Sequence, residues 1–432
     1  MVIINWYKAG QRAVERSAHA EAIAHLRQGL ELLQTLPESP QRTQQELLLL
    51  IALGASLLAT QGYGTPEIEQ TFTRAHHLCA HLKDPHQLFS VLRGLHGYYH
   101  VRAEYQTAQA LGEQLLALAQ QAQDAAMLVA AHAVVGRTLF RMGAVASAHT
   151  HFTQGIALYD PQQHHTSAFL YGEDAGVVCH SFAAWALWYL GYPEQGLARS
   201  HEAVTLAQQV AYPYSLGFAL NAAAFFHQFR REERATQERA QAAISLATDQ
   251  GFLPWKVVGS LWHGWALAHQ GQAQEGIEQI HQGMMAWRAT GAEQLRPYCL
   301  ALLAEAHGTI GQPETGLVML TEALTLIDTT GERWYEPELH RLKGALLLQQ
   351  SSDNHAEAES CFHHALDIAR TQQAKSLELR VATSLARLWQ QQGKIREARD
   401  LLAPIYNWFT EGFDTADLQE AQALLDELED GR

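Results

Sequence analysis

Small and apolar residues recur along the chain in a pattern that repeats about every 40 residues. In each copy a small residue is followed four positions later by an apolar residue, and three positions after that by another small one. This spacing places all three on one face of an α-helix. The pattern therefore predicts a solenoid of stacked helical units. The clearest copies are Ala22/Leu26/Gly29, Ala148/Phe152/Gly155, Gly276/Ile280/Gly283, Gly316/Leu320/Ala323 and Ala358/Phe362/Ala365.

A second small residue usually precedes each copy by twelve positions, on the other helix of a predicted helical hairpin. Small side chains on both helices let them approach to the short end of the usual 8–10 Å range. We therefore expect Gly264→Leu to overpack this contact and to destabilise the fold by at least about 1–3 kcal/mol. The residues of this second series are Gly10, Ser56, Gly136, Ala184, Ala224, Gly264, Ala304 and Ala386.

Glycine and proline mark the ends of the predicted helices. In Gly191-Tyr192-Pro193 and Gly311-Gln312-Pro313 the glycine ends one helix and the proline opens the next. These signals predict an all-α, right-handed α-solenoid of about ten hairpins over residues 1–414, capped by an acidic amphipathic helix within 415–432. The predicted turns lie near Gly10, Gly62, Arg102, Gly143, Gly191, Arg231, Gly271, Gly311, Asp353 and Gly393, and the joints between hairpins at Pro213, Pro254, Pro297 and Pro337.

Charge and cysteine content narrow the class of protein. The formal charge is −15 without a basic run, which disfavours a nucleic-acid or anionic membrane partner. The four cysteines lie far apart with no CxxC motif, which favours a reducing cytoplasm. The most apolar stretch, Leu47 to Ala59, is too short to span a membrane and is interpreted as a core helix. The first residues, MVIINWYK, hold too short an apolar run for a signal peptide.

Motifs of the common nucleotide-dependent and hydrolytic enzymes are absent from the sequence. It contains no GxxxxGK[ST] phosphate loop, no GxSxG elbow and no HExxH zinc motif. No glycine-rich dinucleotide turn follows a strand, and strands themselves are not predicted. The chain is therefore expected to be non-enzymatic, with no catalytic, cofactor-binding or metal-binding residues.

Histidine is unusually frequent, with 24 residues. Pairs one helical turn apart, His77/His81 and His96/His100, and the group around Cys361 have spacings that a metal ion could use. No carboxylate is placed as an obvious further ligand, so we interpret these histidines as structural or solvent-facing. If all were protonated the charge would move from −15 to +9, so partner binding is expected to change between pH 7 and 5.

One connection is eight residues longer than the repeat requires, at Tyr159 to Gly176. Loops on rigid scaffolds often carry function, so this insertion is a candidate ligand or contact site. The alternative is a longer connection with ordinary polar cover. Its candidate residues are Asp160, His164, His165, Tyr171, Glu173 and Asp174.

Aromatic residues gather on the first helices of three consecutive units. Trp185, Phe225 and Trp265 each follow the small residue of the second series by one position, and Trp188 lies one turn further on. This phase predicts a peptide-binding groove with charged flanks, or alternatively a core between units. Loss of stability on Trp185→Ala would indicate core. Arg137, Glu305 and Arg387 share the phase in other units.

Several longer runs are more specific than the repeat positions. With them the chain resembles the C-terminal tetratricopeptide-repeat (TPR) region of bacterial predicted ATPases that are fused to class III adenylate/guanylate cyclase domains. The resemblance implies a sensor or partner-binding arm whose nucleotide chemistry lies in other domains. These runs are Ala9–Ala13, Gly155–His164, Phe169–Gly172, Trp287–Gly291, Thr330–Trp334, Ala365–Arg370, Ala374–Arg380 and Trp408–Asp414.

Together these observations predict a cytoplasmic TPR-like scaffold for a protein or peptide partner, as the sensor or regulatory arm of a signal-transduction ATPase or nucleotide cyclase. The ATPase or cyclase module would act in cis or in trans. The alternative is a solenoid that binds a small molecule or a metal through the insertion or the histidine pairs. An enzyme with an unrecognised site is a further alternative that no motif supports.

Overall fold

The computed structural model describes residues 2–82, 84–164 and 172–429, without the side chains of residues 2, 81 and 352. The described residues contain no strand and form ten helical hairpins followed by one last helix. A four-residue helix, Pro161–His164, lies between hairpins 4 and 5. The hairpins, numbered 1 to 10 in chain order, are Val2–Glu15 with His19–Gln34, Pro40–Gln61 with Pro66–Leu82, Pro85–Val101 with Tyr105–Ala122, Ala125–Arg141 with Val145–Leu158, Ala175–Tyr189 with Pro193–Val210, Pro213–Phe229 with Glu233–Gln250, Leu253–His269 with Ala273–Ala289, Arg296–Thr309 with Pro313–Thr330, Glu336–Gln350 with His355–Thr371, and Lys375–Gln391 with Ile395–Tyr406.

The two helices of a hairpin differ in their burial. The first helix is buried on almost all sides, as in Ala175–Tyr189, where every residue except His180 is buried. The second helix buries a single stripe, which is the predicted pattern of small and apolar residues. First helices therefore form an inner layer and second helices an outer one. In Pro313–Thr330 the stripe is Pro313, Gly316, Leu320, Ala323 and Ile327.

The predicted contacts between small residues hold the two helices of a hairpin together. A Cβ atom added to Gly264 would lie 3.0 Å from the carbonyl oxygen of Gly276 on the second helix. At Gly136 an added Cβ would lie 2.4 Å from the ring of Phe152. Because the first of these neighbours is backbone, it cannot give way as a side chain can. The expected overpacking in Gly264→Leu therefore rests on a contact that is present in the structure.

The predicted turns are found at nine of the ten positions. Prolines open the second helices at Pro193 and Pro313, where the missing N–H has no helical partner to lose. The turn near Gly10 was predicted wrongly, since Gly10 lies inside Val2–Glu15 and the chain reverses around Ser17, whose φ is 58°. Gly10 is small because of its contact with Leu26 on the second helix of the hairpin.

Successive turns of the superhelix touch each other, so no open channel runs through the described part of the chain. The backbone N–H groups of Glu293 and Gln294, just before hairpin 8, both donate to the carbonyl oxygen of Val101 at the end of the first helix of hairpin 3, at 2.9 Å. This pairs a carbonyl that its own helix leaves without a partner. Two further contacts five hairpins apart join Trp334 N–H to Arg141 O and Ser376 Oγ–H to Trp188 O, and one four hairpins apart joins the Arg380 side chain, through Nη2–H, to Phe229 O.

The last helix, Ala416–Glu429, covers the end of the array. Its buried stripe, including Leu418, Ala421 and Leu424, packs on hairpin 10. Asp417 near its start accepts hydrogen bonds from Arg380 at 2.9 Å. One helix of the described residues, Pro40–Gln61, is long and apolar enough to cross a membrane, but 61% of its most apolar window is buried within the protein. It packs as the first helix of hairpin 2, in agreement with the predicted core helix.

Candidate functional site

The residues predicted to share one helical phase border two separate cavities inside the superhelix, and one of them, Arg387, is exposed at the rim. Arg137, Trp185 and Phe225 line the first cavity. Trp265, Glu305 and Arg387 line the second. We call these the aromatic cavity and the polar cavity. The residues of the predicted phase therefore line the inside of the superhelix. Between Phe225 and Trp265 this lining passes from the aromatic cavity to the polar cavity.

The aromatic cavity has a volume of about 90 Å³ and lies among hairpins 2 to 7. Phe225 stacks on Trp262 with ring centroids 4.4 Å apart, and Trp185 meets Phe225 edge-on at 4.8 Å. The indole N–H of Trp185 donates to the carbonyl oxygen of Ala222 at 3.0 Å. These rings pack as protein core does, which is the arrangement aromatic side chains prefer when buried.

A buried ion network forms one wall of the aromatic cavity. The Glu173 carboxylate lies 2.7 Å from the guanidinium of Arg93 and 2.9 Å from that of Arg137, and its side chain is 2% exposed. Burial favours the neutral acid, yet Arg137 and Arg93 hold the pKa of Glu173 below its ordinary value. The carboxylate is therefore ionised. It connects the predicted insertion, to which Glu173 belongs, with Arg137, one of the residues that share the predicted helical phase.

His96 and His100, one of the histidine pairs with a spacing that a metal ion could use, lie behind this network. Their rings stack with centroids 5.5 Å apart, and His96 Nε2 is hydrogen-bonded to Thr138 Oγ1 at 2.9 Å. Burial, reinforced by Arg137, lowers the pKa of both imidazoles well below the ordinary value. A metal cation at this pair would sit beside Arg137 and Arg141, so the surroundings oppose it.

The members of the other histidine groups lie in different surroundings from one another. His77 is exposed, and the side chain of His81 lies outside the described residues. Cys361 is buried whereas His364 is exposed and contacts the ring of His340. Across the described ranges no three His, Cys, Asp or Glu side chains are grouped so as to hold a metal ion.

The polar cavity has a volume of about 250 Å³ and is bordered by the first helices of hairpins 6 to 10 and the last helix. Its walls carry four arginines and four carboxylates. Most of these charges are paired directly: Arg341 with Glu338 at 2.7 Å, and Arg231 with Glu420 at 2.9 Å. The lining charges are Arg231, Arg341, Arg380, Arg387, Glu305, Glu338, Asp417 and Glu420.

Two groups of the polar cavity are less fully paired. His269 Nε2 lies 3.5 Å from Glu305. Although burial opposes it, Glu305 raises the pKa of His269, and His269 with the nearby arginines lowers the pKa of Glu305 to about 2. Arg387 is exposed at the rim of the cavity and has no ion-pair partner within the described chain.

The expectation of an open groove is corrected by this arrangement. Trp185, Trp188, Phe225 and Trp265 are all at most 4% exposed, because the contacts between hairpins five apart close the concave side. Trp188 lines neither cavity and instead stacks on Phe229 with centroids 5.0 Å apart. The alternative of a core between units describes the packing of these four aromatic residues.

The insertion is divided among different surroundings. The Asp160 carboxylate accepts a hydrogen bond from the Gln162 N–H, and the backbone N–H of Asp160 donates to His164 Nδ1. Asp160 and His164 therefore belong to a local turn. Asp174 caps the first helix of hairpin 5 through the Val177 N–H at 2.8 Å. Among the candidate residues that the structure describes, only Glu173 lines either of the two cavities. His165 and Tyr171 lie outside the described residues.

Several residues of the two cavities were missed from the sequence. Arg141 and His269 lie four positions after Arg137 and Trp265 and line the same cavities. The helical spacing could have found them, since positions i and i+4 share a face. Tyr63 and Gln294 belong to connections between helices, where no periodic signal exists.

Comparison with known proteins finds no matching family model. A protein of Rhizobium meliloti (strain 1021), "Uncharacterized protein R02095", is 23% identical over 384 residues, which is 88% of this chain. The chain spans 37% of the length of that relative. The similarity therefore covers almost the whole repeat array and a minor part of the longer protein.

Solved structures similar to the chain have TPR-type helical repeats. A chain of the APC/C hetero-tetramer Cut9–Hcn1 has a TM-score of 0.53 and 12% identity, covering 98% of this chain and 75% of that one. A Rap protein complexed with Competence and Sporulation Factor has a TM-score of 0.52 and 13% identity, covering 91% and 98%. The Rap conjugation gene regulator of the plasmid pLS20, in complex with the Phr* peptide, has a TM-score of 0.51 and 12% identity, covering 86% and 97%. At these identities the likeness establishes the fold: a TPR-type α-solenoid.

Proposed function

We propose that the chain is a non-enzymatic TPR-type interaction module that serves as the sensor or regulatory arm of a signal-transduction ATPase or nucleotide cyclase. The observation that carries the proposal is the match of 88% of this chain to 37% of a longer protein. A repeat array that is one segment of a larger polypeptide suits a regulatory arm, because its neighbours can supply the chemistry.

Two further observations support an interaction role. The structurally similar proteins include one complexed with a peptide and one within a hetero-tetramer, so this fold can hold other chains. The sequence lacks the phosphate-loop and nucleophile motifs that would give the array a nucleotide chemistry of its own. Because the aromatic residues of the inner layer are buried, a protein partner has access to the outer helices and to the rim of the polar cavity.

The experiment is affinity capture of the tagged full chain from its native host, followed by identification and reconstitution of the captured protein. We expect a partner with an ATPase or class III cyclase catalytic domain, and a changed catalytic rate when the purified chain is added. An unrelated TPR-type array of equal length is the control. Hydrolysis of ATP or GTP by the chain alone, or partners without either domain, would contradict the proposal.

The polar cavity favours a second candidate function, recognition of the charged end of a peptide or of a zwitterion of amino-acid size. It displays both signs of charge in a partly closed space, and Arg387 at its rim has no carboxylate partner among the described residues. An unpaired guanidinium can accept a carboxylate in the two-point geometry that arginine prefers. For an ammonium group the acidic counterpart is Glu305, which lies 3.5 Å from His269 and forms no ion pair with an arginine in the described chain.

Arg387→Gln tests this second function by calorimetric titration with short peptides and free amino acids. We expect about tenfold weaker binding in Arg387→Gln, because a charge-assisted hydrogen bond is lost. Arg234→Gln is the matched control, since Arg234 is 91% exposed on the outer layer. Equal affinities of the two variants, or no binding by the unaltered protein, would remove the polar cavity from consideration.

A further inference from the structure

The aromatic cavity contains more hydrogen-bond donors than its surroundings can satisfy. Among the residues described, five N–H groups of its lining side chains have no partner: Arg137 Nε, Arg141 Nε, Arg141 Nη1, Trp255 Nε1 and Trp262 Nε1. Two lining acceptors, Asn221 Oδ1 and Gln294 Oε1, and one lining hydroxyl group, that of Tyr63, are also without a partner. Buried polar groups almost always have partners, so a concentration of this size at one cavity indicates something that belongs there. The excess of donors indicates an acceptor.

The buried charges around the aromatic cavity also indicate an anion, independently of the hydrogen-bond donors. Three buried guanidinium groups, Arg93, Arg137 and Arg141, face two buried carboxylates, Glu173 and Glu332. Glu173 is shared by Arg93 and Arg137 at hydrogen-bond distance, whereas Arg141 Nη1 lies 3.9 Å from Glu332. Arg141 is 4% exposed, and its guanidinium otherwise contacts the ring of Trp334 at 5.0 Å. A buried cation whose nearest carboxylate is beyond hydrogen-bond distance is incompletely compensated, and a small anion beside it would reduce that cost.

Size limits the ligand. A cavity of roughly 150 Å³ is large enough for benzene, and the aromatic cavity has about 90 Å³. An anion of three or four heavy atoms is therefore the class that can enter. The planar guanidinium fork and the indole N–H groups favour two coplanar oxygens over a spherical ion.

We propose that the aromatic cavity is a binding site for a small monocarboxylate, with formate and acetate as its representatives, held by Arg141, Arg137 and the indole N–H groups of Trp255 and Trp262. The apolar rings around them exclude water and strengthen these hydrogen bonds. The site is distinct from the polar cavity and does not depend on the identity of a protein partner. It would let the repeat array respond to a metabolite without an open groove.

The test measures binding of ¹³C-labelled formate and acetate to the purified full chain by NMR, with thermal unfolding as a second readout. Sodium gluconate at equal ionic strength is the matched salt, because its anion is too large for the cavity. We expect saturable line broadening and a raised Tm with formate and acetate, and neither with gluconate. Equal effects of all three salts, or no binding of either labelled anion, would overturn the proposal and leave ordered water as the content of the cavity.

Variants locate the site. Arg141→Gln is expected to weaken binding at least about tenfold, since it removes the donor that the protein pairs least well. Trp255→Phe keeps most of the ring volume and is expected to weaken binding several-fold, which covers the case in which Arg141→Gln does not fold. Arg396→Gln is the control, because Arg396 is 91% exposed on hairpin 10. Unchanged affinity in a folded Arg141→Gln or Trp255→Phe protein would place the anion elsewhere and refute the assignment.

Discussion

The aromatic cavity and the polar cavity follow one another inside the same superhelix, and their walls come from the same phase of successive first helices. In the aromatic cavity this phase carries Trp185 and Phe225, and the single carboxylate that lines it, Glu173, is 2% exposed. In the polar cavity the phase carries Trp265 and Glu305, and arginines and carboxylates alternate around it. One backbone arrangement thus supports a mainly aromatic interior at one end and a mainly charged one at the other.

The difference follows from what closes each cavity. The aromatic cavity lies among hairpins 2 to 7, where the joint at Glu293 and Gln294 bonds to Val101 of an earlier turn. The polar cavity is closed by the last helix, whose Asp417 is itself charged and pairs with Arg380 and Arg231. The interior of the superhelix is therefore packed as core where one turn is covered by the next, and is lined by paired charges where the array ends.

The same comparison changes the interpretation of the histidines. His96 and His100 near the aromatic cavity have pKa values far below the ordinary value, and burial lowers the pKa of His19 and His132 to about 4. These side chains therefore resist protonation in the folded protein as the pH falls from 7 towards 5. The change of net charge by 24 units that was considered from the sequence is therefore larger than the folded chain can show between pH 7 and 5.

The largest expected effect comes from Trp185→Ala, the variant that separates core from groove. Trp185 is 4% exposed and packs on Phe225 and Phe182, so truncation should cost about 3–5 kcal/mol of unfolding free energy. Urea unfolding measures it. The comparison variant is Trp408→Ala, because Trp408 is 39% exposed near the polar end and should cost no more than about 1 kcal/mol.

A Trp185→Ala protein of unchanged stability would break the comparison. It would mean that the rings of the aromatic cavity contribute contact surface for a partner and little to the fold. Pull-down of the partner with both variants then decides whether binding follows stability or the identity of the residue.

A second, smaller effect comes from making the same chemical change in both cavities. Glu173→Gln leaves Arg137 without its carboxylate in a buried place, so we expect a loss of about 3 kcal/mol. Glu420→Gln removes a carboxylate that is 43% exposed and paired with a 40% exposed arginine, so we expect less than about 1 kcal/mol. Chemical denaturation at neutral pH measures both values. Equal losses would show that the two cavities have similar dielectric surroundings.

The elements of this fold were predictable because their signal is local and periodic. The alternation of small and apolar residues that pairs Gly264 with Gly276 is visible in the sequence, and so are the prolines that open helices. The inward direction of Trp185, Phe225 and Trp265 was predictable for the same reason, since a repeat returns to the same phase.

The closure of the superhelix was not predictable, because it depends on contacts between residues far apart in sequence. Glu173 pairs with Arg93 across 80 positions, and Trp334 reaches Arg141 from a joint that has no periodic pattern. A repeat period indicates how one hairpin packs on the next but not how far each step rotates. That rotation decides between an open groove and a closed interior, and with it the role of every aromatic residue on the inner phase.

The smallest effect, and the sharpest comparison of the two cavities, is pH dependence. An unfolded histidine titrates near pH 6.5. Because the folded pKa of His100 is lower, the unfolded chain binds more protons below that pH, and stability falls as pH falls. For His269 the folded pKa is raised, so its contribution is fully present below pH 6.5 and is lost as pH rises through the folded pKa.

Two variants should therefore move the pH dependence in opposite directions. Between pH 7.5 and 5.5, His100→Asn should lose less stability than the unaltered protein, because a group that resists protonation is gone. His269→Gln should lose more, because the ion pair with Glu305 no longer compensates at low pH, and the extra loss should stay below about 1 kcal/mol since Glu305 is 32% exposed. Urea unfolding at the two pH values measures both differences. If both variants shifted the pH dependence in the same direction, the contrast between the two cavities would be wrong for these two side chains, because only unlike surroundings can shift the pKa values of two imidazoles of one chain in opposite senses.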